Sequence, residues 1–562
     1  MDLKRAAKRL TLFALVAIVA VSMLLVSCGG GTTTTTTTEP TQTAQPTQTS
    51  QPTQTSQPTT TQTQTPSPTA TTPPAPYGTL NVAQADFGQE QFDPINIIAS
   101  WSYCLFDTLV STDEKGNYIP WVAKSWSISP DGNTWTFNIR DDIYFHDGVQ
   151  LTAKDVKFSV DHFASENSTN PWSPYLTRNY AGTSAPDKFT FIYTTEKPEP
   201  TLIVPFSVTP MLPADYFTSK GVDGFNLHPI GSGPWVFKEH IQETSVTFTA
   251  NTRHWADVPA FETLYIRQVP EEATRIAMFK RGDIDILGGI STDRIVEMRD
   301  AGTRTISLGL PTSWWIVWPG TWIANHPTHD IRVRQAMSYA LNRQEICDTY
   351  YQGTAVPGGR WFIAPGGYGW DDSWKADPYD PTLAKQLLAE AGYPEAFDTP
   401  TINFYVNPTQ SDFAQILQGY WQAVGLDVEI TVVEMSAWYG IVFVRTTDNP
   451  NAPQAGGMWM WGLSAVVTNA IYHSANMYTS GGVHTTGNDP HADELYAKAT
   501  GELDPVLQKQ YWTDFLNYAY NMWVMTGTVL IQPLVLLSDN IGDVGRGWIF
   551  IDDSYATMTH PD

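Results

Sequence analysis

At 562 residues the chain is too long for one hydrophobic core, so two or more folded units are expected once flexible segments are set aside. Its formal charge of −25, from 57 acidic against 32 basic side chains, repels a phosphate backbone, and no Lys/Arg cluster in the folded part reverses this locally, which argues against nucleic acid as a partner. Cys28, Cys104 and Cys347 form no CxxC and no Cys/His cluster of metal spacing, so a zinc site or disulfide framework has no support, while a Cys104–Cys347 bridge stays open.

Lys4, Arg5, Lys8 and Arg9 precede the apolar run from Leu10 to Val26, a charged n-region followed by an h-region, and the chain is expected to be exported. The run ends at Leu25-Val26-Ser27-Cys28 before three glycines. This resembles the lipobox of bacterial lipoproteins, in which the cysteine receives a diacylglycerol and becomes the first mature residue; a retained transmembrane anchor is the alternative. Residues 1–27 then form a lipoprotein signal peptide, and Cys28 is the lipidation site that holds the protein at the outer face of the cell membrane. Residues 28–77 comprise that cysteine and a Thr/Pro/Gln-rich disordered linker, with Glu39 the only charge from Thr32 to Pro76 and prolines at Pro40, Pro46, Pro52 and Pro58. Nothing in it offsets the entropy of ordering, and it spans on the order of 40 Å as a flexible tether.

Beyond the linker the chain alternates strand and helix signals. Residues 134 to 151 alternate apolar and polar between Asp-Gly turns at 131–132 and 147–148. Thr152 caps a helix, with Asp155 completing a weak capping box ahead of Val156, Phe158 and Val160. Glu271 to Lys280 reads as helix, Gly282 breaks it, and Ile284-Asp285-Ile286 reads as strand. Asp380-Pro381 starts a helix that Gly392 and Pro394 stop. Ser411 opens another with Phe413, Ile416, Leu417, Tyr420 and Val424 inward, and Leu426 to Val432 follows as a strand. Repeated units of this kind build an α/β layer architecture.

The residues become specific at Leu105-Phe106-Asp107-Thr108-Leu109-Val110, Tyr118 to Trp126, Ser129-Pro130-Asp131-Gly132, Phe145-His146-Asp147-Gly148 and Leu151 to Val156. Further motifs follow at Gly231-Ser232-Gly233-Pro234-Trp235, Asn251 with Trp255, Arg281 to Asp285, Arg332 to Ala336 and Tyr379 to Pro394. In this order they resemble the family 5 extracellular solute-binding proteins, the peptide, nickel and opine binders of ABC importers, over about residues 78 to 550. The resemblance implies a two-lobed α/β fold of the periplasmic-binding-protein type (type II, Venus flytrap) with an extra domain in the first lobe. The first lobe takes 78–305 plus 527–562, with the extra subdomain at about 106–224, and the second takes 306–526. Leu308 to Trp315 and Thr526 to Gln532 are the candidate crossings, able to run as adjacent strands.

Within peptide-binding members, a Trp-x-x-Asp aspartate holds the ligand's α-ammonium group. The matching tryptophan here is Trp461 and the matching position is Ser464, whose hydroxyl cannot offset the desolvation of a buried ammonium, so free peptides are doubtful ligands unless Asp371 or Asp372 substitutes. In Gly456-Gly457-Met458-Trp459-Met460-Trp461 a strand places Trp459 and Trp461 on one face and both methionines on the other. The candidate ligand-binding residues are Trp459, Trp461, Ser464, Trp315, Trp361 in a Gly/Pro-rich loop, and Phe87 after the first strand. Trp314 and Trp318 compete with Trp315 for the cleft.

His326-Pro327-Thr328-His329 has H-x-x-H spacing but no visible third ligand, so no metal and no cofactor is assigned. His146 reads as hairpin chemistry, and Arg332 and Arg334 as first-turn solvent or salt-bridge residues. Neither GxSxG nor any other nucleophile constellation is present, and Asp141-Asp142 and Asp552-Asp553 read as solvated faces. The expectation is a non-enzymatic, monomeric capture protein that delivers a small-molecule, peptide or oligosaccharide ligand to the permease subunits of an ABC importer. The alternatives are an oligosaccharide-binding member of the same family and, from a different class, a secreted glycoside hydrolase.

Overall fold

Thr79–Gln84, the first strand, buries Leu80 and Val82 and lies in register between two parallel neighbours, Thr263–Gln268 and Ile286–Leu287. The computed structural model describes residues 75–561 except 97–99, 114–117, 171, 178, 308–311, 362–368, 443–455, 465–469, 483, 485, 487, 533 and 546–553. The expected signal peptide, Cys28, nearly all of the linker, and Asp552-Asp553 therefore lie outside the described residues.

The described strands form three main sheets. The seven-stranded sheet runs, in spatial order, Thr305–Ser307, Leu534–Leu537, Ile286–Leu287, Thr79–Gln84, Thr263–Gln268, Ser245–Ala250 and Trp235–Ile241. The six-stranded sheet runs Ala355–Pro357, Met525–Ile531, Thr312–Val317, Met458–Ser464, Ile402–Val406 and Val428–Val432. A four-stranded antiparallel sheet, Ala123–Ile128, Thr134–Ile139, Thr190–Thr195 and Tyr180–Asp187, has its own core around Trp135, Phe137, Phe191 and Phe206. The fold is thus a two-lobed α/β body carrying an extra layer. The chain passes between the large sheets twice, once after Ser307 and once after Ile531. The return therefore falls later than the expected 527, because Met525–Ile531 is hydrogen-bonded throughout to Thr312–Val317.

Local signals place most elements. Thr152 and Asp155 close a reciprocal capping box on Ala153–Phe163, Asp380 caps Pro381–Glu390 by accepting from Leu383 N–H at 2.8 Å, and Gly282 ends Glu272–Arg281 at φ 79°. Two expectations shift. Asp285 is not in a strand: its carboxylate accepts from Asn81 N–H at 2.8 Å, Ser538 Oγ at 3.0 Å and Asn540 Nδ2 at 3.0 Å, which pins the first strand to the C-terminal segment. On Ser411–Ala423 it is Trp421 that is fully buried, its indole donating to the Met337 carbonyl at 2.9 Å, while Ile416 and Tyr420 are half-buried. Cys104 and Cys347 are buried thiols in different cores, so the bridge left open does not form.

The motif residues of the first half tie the extra layer to its lobe. Asp107 is buried and accepts from Trp121 Nε1 at 2.8 Å, with His254 Nε2 and Trp255 Nε1 each 3.4 Å away. Burial alone would raise its pKa, but the charge and hydrogen bond of His254, with the Trp121 bond, hold it below the usual carboxylate range. His146 Nε2 donates to the Gly233 carbonyl at 3.0 Å while its Nδ1 accepts from Gly231 N–H at 3.3 Å, a neutral tautomer bridging the glycine turn. That turn lies against Leu105, where a Cβ on Gly231 would stand 1.9 Å from the Leu105 carbonyl oxygen. Gly231→Ala should therefore cost about 3 kcal/mol in urea unfolding. Gly419→Ala, on an exposed helical position with nothing within 4 Å, should stabilise by about 1 kcal/mol in the same measurement.

Candidate functional site

One face of the six-stranded sheet packs mixed apolar side chains against helices, including Ile316, Phe404, Met458, Met460 and Val529. The other face carries rings: Trp315 and Val317 from one strand, Trp459 and Trp461 from its neighbour, and Met525 from the strand beyond. Period-two alternation makes this division, and the antiparallel register sets Trp315 directly opposite Trp461 and Val317 opposite Trp459. Thr312, Ser464 and Ile531 lie together at the end of the sheet next to the crossings, and the parallel strands Ile402–Val406 and Val428–Val432 run toward that end and stop level with Met460. Ligands of open α/β sheets settle beyond such carboxyl ends.

Trp459 and Trp461 meet edge to face at 5.9 Å, and the two differ in cover. Trp459 is 1% exposed, whereas Trp461 is half-buried. The helix Met435–Val442 brings Trp438 parallel to Trp461, with ring centroids 5.6 Å apart and planes within 9°. His484 sits 5.2 Å from Trp459 and 5.3 Å from Trp461, and its Nδ1–H donates to the Val442 carbonyl at 2.9 Å. Burial lowers the His484 pKa to about 4, so the described rings touching Trp461 are all uncharged at neutral pH.

Trp315 is buried, its indole donating to the Trp361 carbonyl at 3.0 Å. From Trp361 a run of rings continues edge-on to Trp370 at 5.2 Å and Trp374 at 5.2 Å, then face to face with Tyr520 at 5.4 Å. The Arg360 guanidinium lies 4.0 Å from the Tyr520 ring centroid and 3.4 Å from that of Trp523, and pairs with Asp377 at 3.1 Å. The Gly/Pro-rich loop approaches closely because Gly527, in a strand, faces Gly359: a Cβ on Gly527 would meet the Gly359 carbonyl oxygen at 2.1 Å.

The structure brings Trp315, Trp361, Trp459 and Trp461 into one aromatic cluster. Ser464 aligns with Thr312 at the crossing end of its strand. Phe87 belongs to the core of the other large sheet, 2% exposed and against Trp101 at 5.3 Å. Trp314 turns to the opposite face and Trp318 is buried there. Asp371 accepts from Ser373 N–H and Asn517, and Asp372 accepts from the Trp370 indole. Arg332 pairs with Asp330, but Arg334 is no solvent residue: it is 6% exposed and donates to the carbonyls of Trp523, Thr328, His329 and Met522. His329 Nδ1 donates to the Thr321 carbonyl at 2.8 Å, and the described residues contain no group of three metal-ligating side chains. Trp438 and His484 were not anticipated; they lie in short segments far along the chain, and only the fold places them beside Trp461.

Residues 117–485 match the family of bacterial extracellular solute-binding proteins, family 5 Middle. The nickel-binding periplasmic protein of Escherichia coli is 27% identical over 381 residues, 62% of this chain and 71% of that protein. The dipeptide-binding protein of the same organism is 26% identical over 347 residues, 56% of this chain and 63% of that protein. Among solved structures, NikA from Brucella suis in complex with Fe(III)-EDTA superposes with a TM-score of 0.75 at 21% identity, covering 86% of this chain and all of the other. DppA from Helicobacter pylori in complex with the peptide STSA gives 0.67 at 20% identity, covering 86% of this chain and 98% of that one. These likenesses carry the fold.

His484 supplies a pH test of the ring cluster. Unfolded histidine titrates near 6.5 and folded His484 near 4, so the unfolded chain takes the proton first as pH falls. Its contribution is complete above pH ~6.5 and is lost progressively down to about 4, a change on the order of 3 kcal/mol. The urea midpoint should drop from pH 7 to pH 5, and His484→Asn should show a clearly smaller drop; equal drops would place the effect elsewhere.

Proposed function

Because the chain belongs to family 5 of the bacterial extracellular solute-binding proteins, we propose that it captures a peptide-like or other small solute between its lobes and hands it unaltered to the permease of an ABC importer. The carrying observation is the half-buried Trp461, held flat against Trp438 beside neutral His484 on the ring-bearing face of the sheet. Such a wall recognises its guest by stacking and dispersion. With Ser464 where peptide binders carry an aspartate, a neutral, blocked or apolar guest suits it better than a free α-ammonium. An oligosaccharide is the second reading, favoured by the same uncharged ring face.

Trp461 is the contact residue in this proposal, Trp459, Trp315 and Trp361 brace it, and Ser464 belongs to the cleft edge, while Phe87 is sealed in the core of the facing lobe. The first lobe comprises 78–305, with a subdomain at about 106–224, and the C-terminal segment after the return crossing. The second comprises 306–526 and the rest of that crossing strand. Lipid on Cys28 tethers the monomer outside the cytoplasm. Among the described residues no helix is long and apolar enough to cross a membrane.

A thermal-shift screen of blocked and free peptides, oligosaccharides, opines and nickel complexes should find a stabilising solute, since binding raises the melting temperature by mass action. With that solute, Trp461→Ala should weaken binding by about 1–3 kcal/mol in calorimetry, and an unchanged dissociation constant removes Trp461 from the site. Release of any cleavage product from the bound solute would instead favour the glycoside-hydrolase alternative. Metabolic labelling with a fatty-acid analogue should mark the wild type and leave Cys28→Ala unmarked.

A further inference from the structure

The extra layer of the first lobe touches the second lobe at a place separate from the crossing strands. The short helical turn Pro200–Leu202 lies against the helix Pro490–Gly501, and just beyond that helix Leu503 reaches the turn Ser129–Gly132. A Cβ on Gly132 would stand 2.9 and 3.0 Å from the two Leu503 methyls and 2.8 Å from Pro198 Cβ. The seat exists because residue 132 has no side chain, and its φ of 74° independently calls for glycine.

Both partners are built before they meet. Under Leu503, one Glu502 carboxylate oxygen accepts from the backbone N–H of Leu503 and of Asp504 at 2.9 Å each, Gln508 Nε2 donates to the Glu502 carbonyl at 3.0 Å, and Asp504 caps the next helix through Val506 and Leu507 N–H. On the other side, Gly132 N–H donates to the Ser129 carbonyl at 2.8 Å, and Asp131 accepts from Ser129 Oγ at 2.5 Å and Asn133 N–H at 3.2 Å. Thr201 Oγ1 at 2.6 Å and Asn179 Nδ2 at 3.3 Å fix the buried Glu199 carboxylate beside Pro198. Little ordering entropy is left to lose on contact, so an apolar peg in such a seat favours the touching arrangement of the lobes.

We propose that Leu503, seated on Gly132 and Pro198, is an interlobe latch: a positioning residue that touches no solute and sets how long one is held. This rests on the capture reading above. A ligand's apparent affinity scales with the population of the competent state, and a contact made only when the lobes meet slows release more than it changes capture.

The test compares wild type, Leu503→Asp, Leu503→Ala and Val506→Asp; Val506, exposed three residues further on, controls for added charge. Without any solute, small-angle scattering should show a larger radius of gyration for Leu503→Asp, an intermediate one for Leu503→Ala, and no change for Val506→Asp. With the solute found by thermal shift, Leu503→Asp should raise the dissociation constant about tenfold through faster release, with the association rate within twofold of wild type. Identical scattering for all four proteins overturns the latch. So does a Leu503→Asp effect confined to association, or one matched by Val506→Asp. If no solute binds while the scattering differences appear, the capture reading fails and the solute-holding role is overturned with it, leaving Leu503 as a contact between the lobes.

Discussion

Ser307 pairs with Leu534 in the seven-stranded sheet, and Thr312 pairs with Ile531 in the six-stranded sheet, so the same two stretches of chain are neighbours on both sides of the crossing. Ser307 Oγ, donating to Gln532 Oε1 at 3.0 Å, adds a side-chain tie beside the backbone ladders. Each lobe is anchored to the crossing by a ladder whose hydrogen bonds resist shear. A bound solute shifts the arrangement of the lobes only through its differential affinity for one arrangement over another. A register shift at Trp314/Trp315 gives the return strand an extra residue, and Gly527 there admits the Gly358–Trp361 loop against the backbone.

The aromatic face follows from that placement. A fully buried tryptophan removes about 150–250 Å² from water, worth roughly 4–6 kcal/mol gross at ~25 cal/mol per Å². Trp315 and Trp459 already realise that gain within the lobe. Trp461 does not: it stays half-buried beside them. Buried His484 keeps this wall neutral, because burial strips an imidazolium of its hydration.

Much of the architecture could be read directly. The Thr152–Asp155 box, Asp380-Pro381, Gly282 and the alternation of Met458 to Trp461 are local signals, governed by backbone hydrogen bonding and side-chain period, and they appear where the chain places them. Errors arose where a side chain answers to a distant partner. Asp285 leaves its strand to hold Asn81 and Ser538, and Trp421 joins the core at full burial, its indole donating to Met337, while Tyr420 packs against that core half-buried. Arg334 looks like a surface arginine in its helix and is buried because four carbonyls from other segments converge on it.

By itself the sequence determined the family, the alternation of helix and strand, the two-faced tryptophan strand and the uncharged residue at position 464, since each depends on residue type and spacing along a few consecutive positions. Only the tertiary structure decided that Trp459 is sealed while Trp461 stays half open, that Trp438 and His484 join it, that Phe87 packs in the other core, and that Leu503 meets Gly132. Those outcomes depend on which distant segments arrive at the same point, and burial is a property of that arrival that no local pattern encodes.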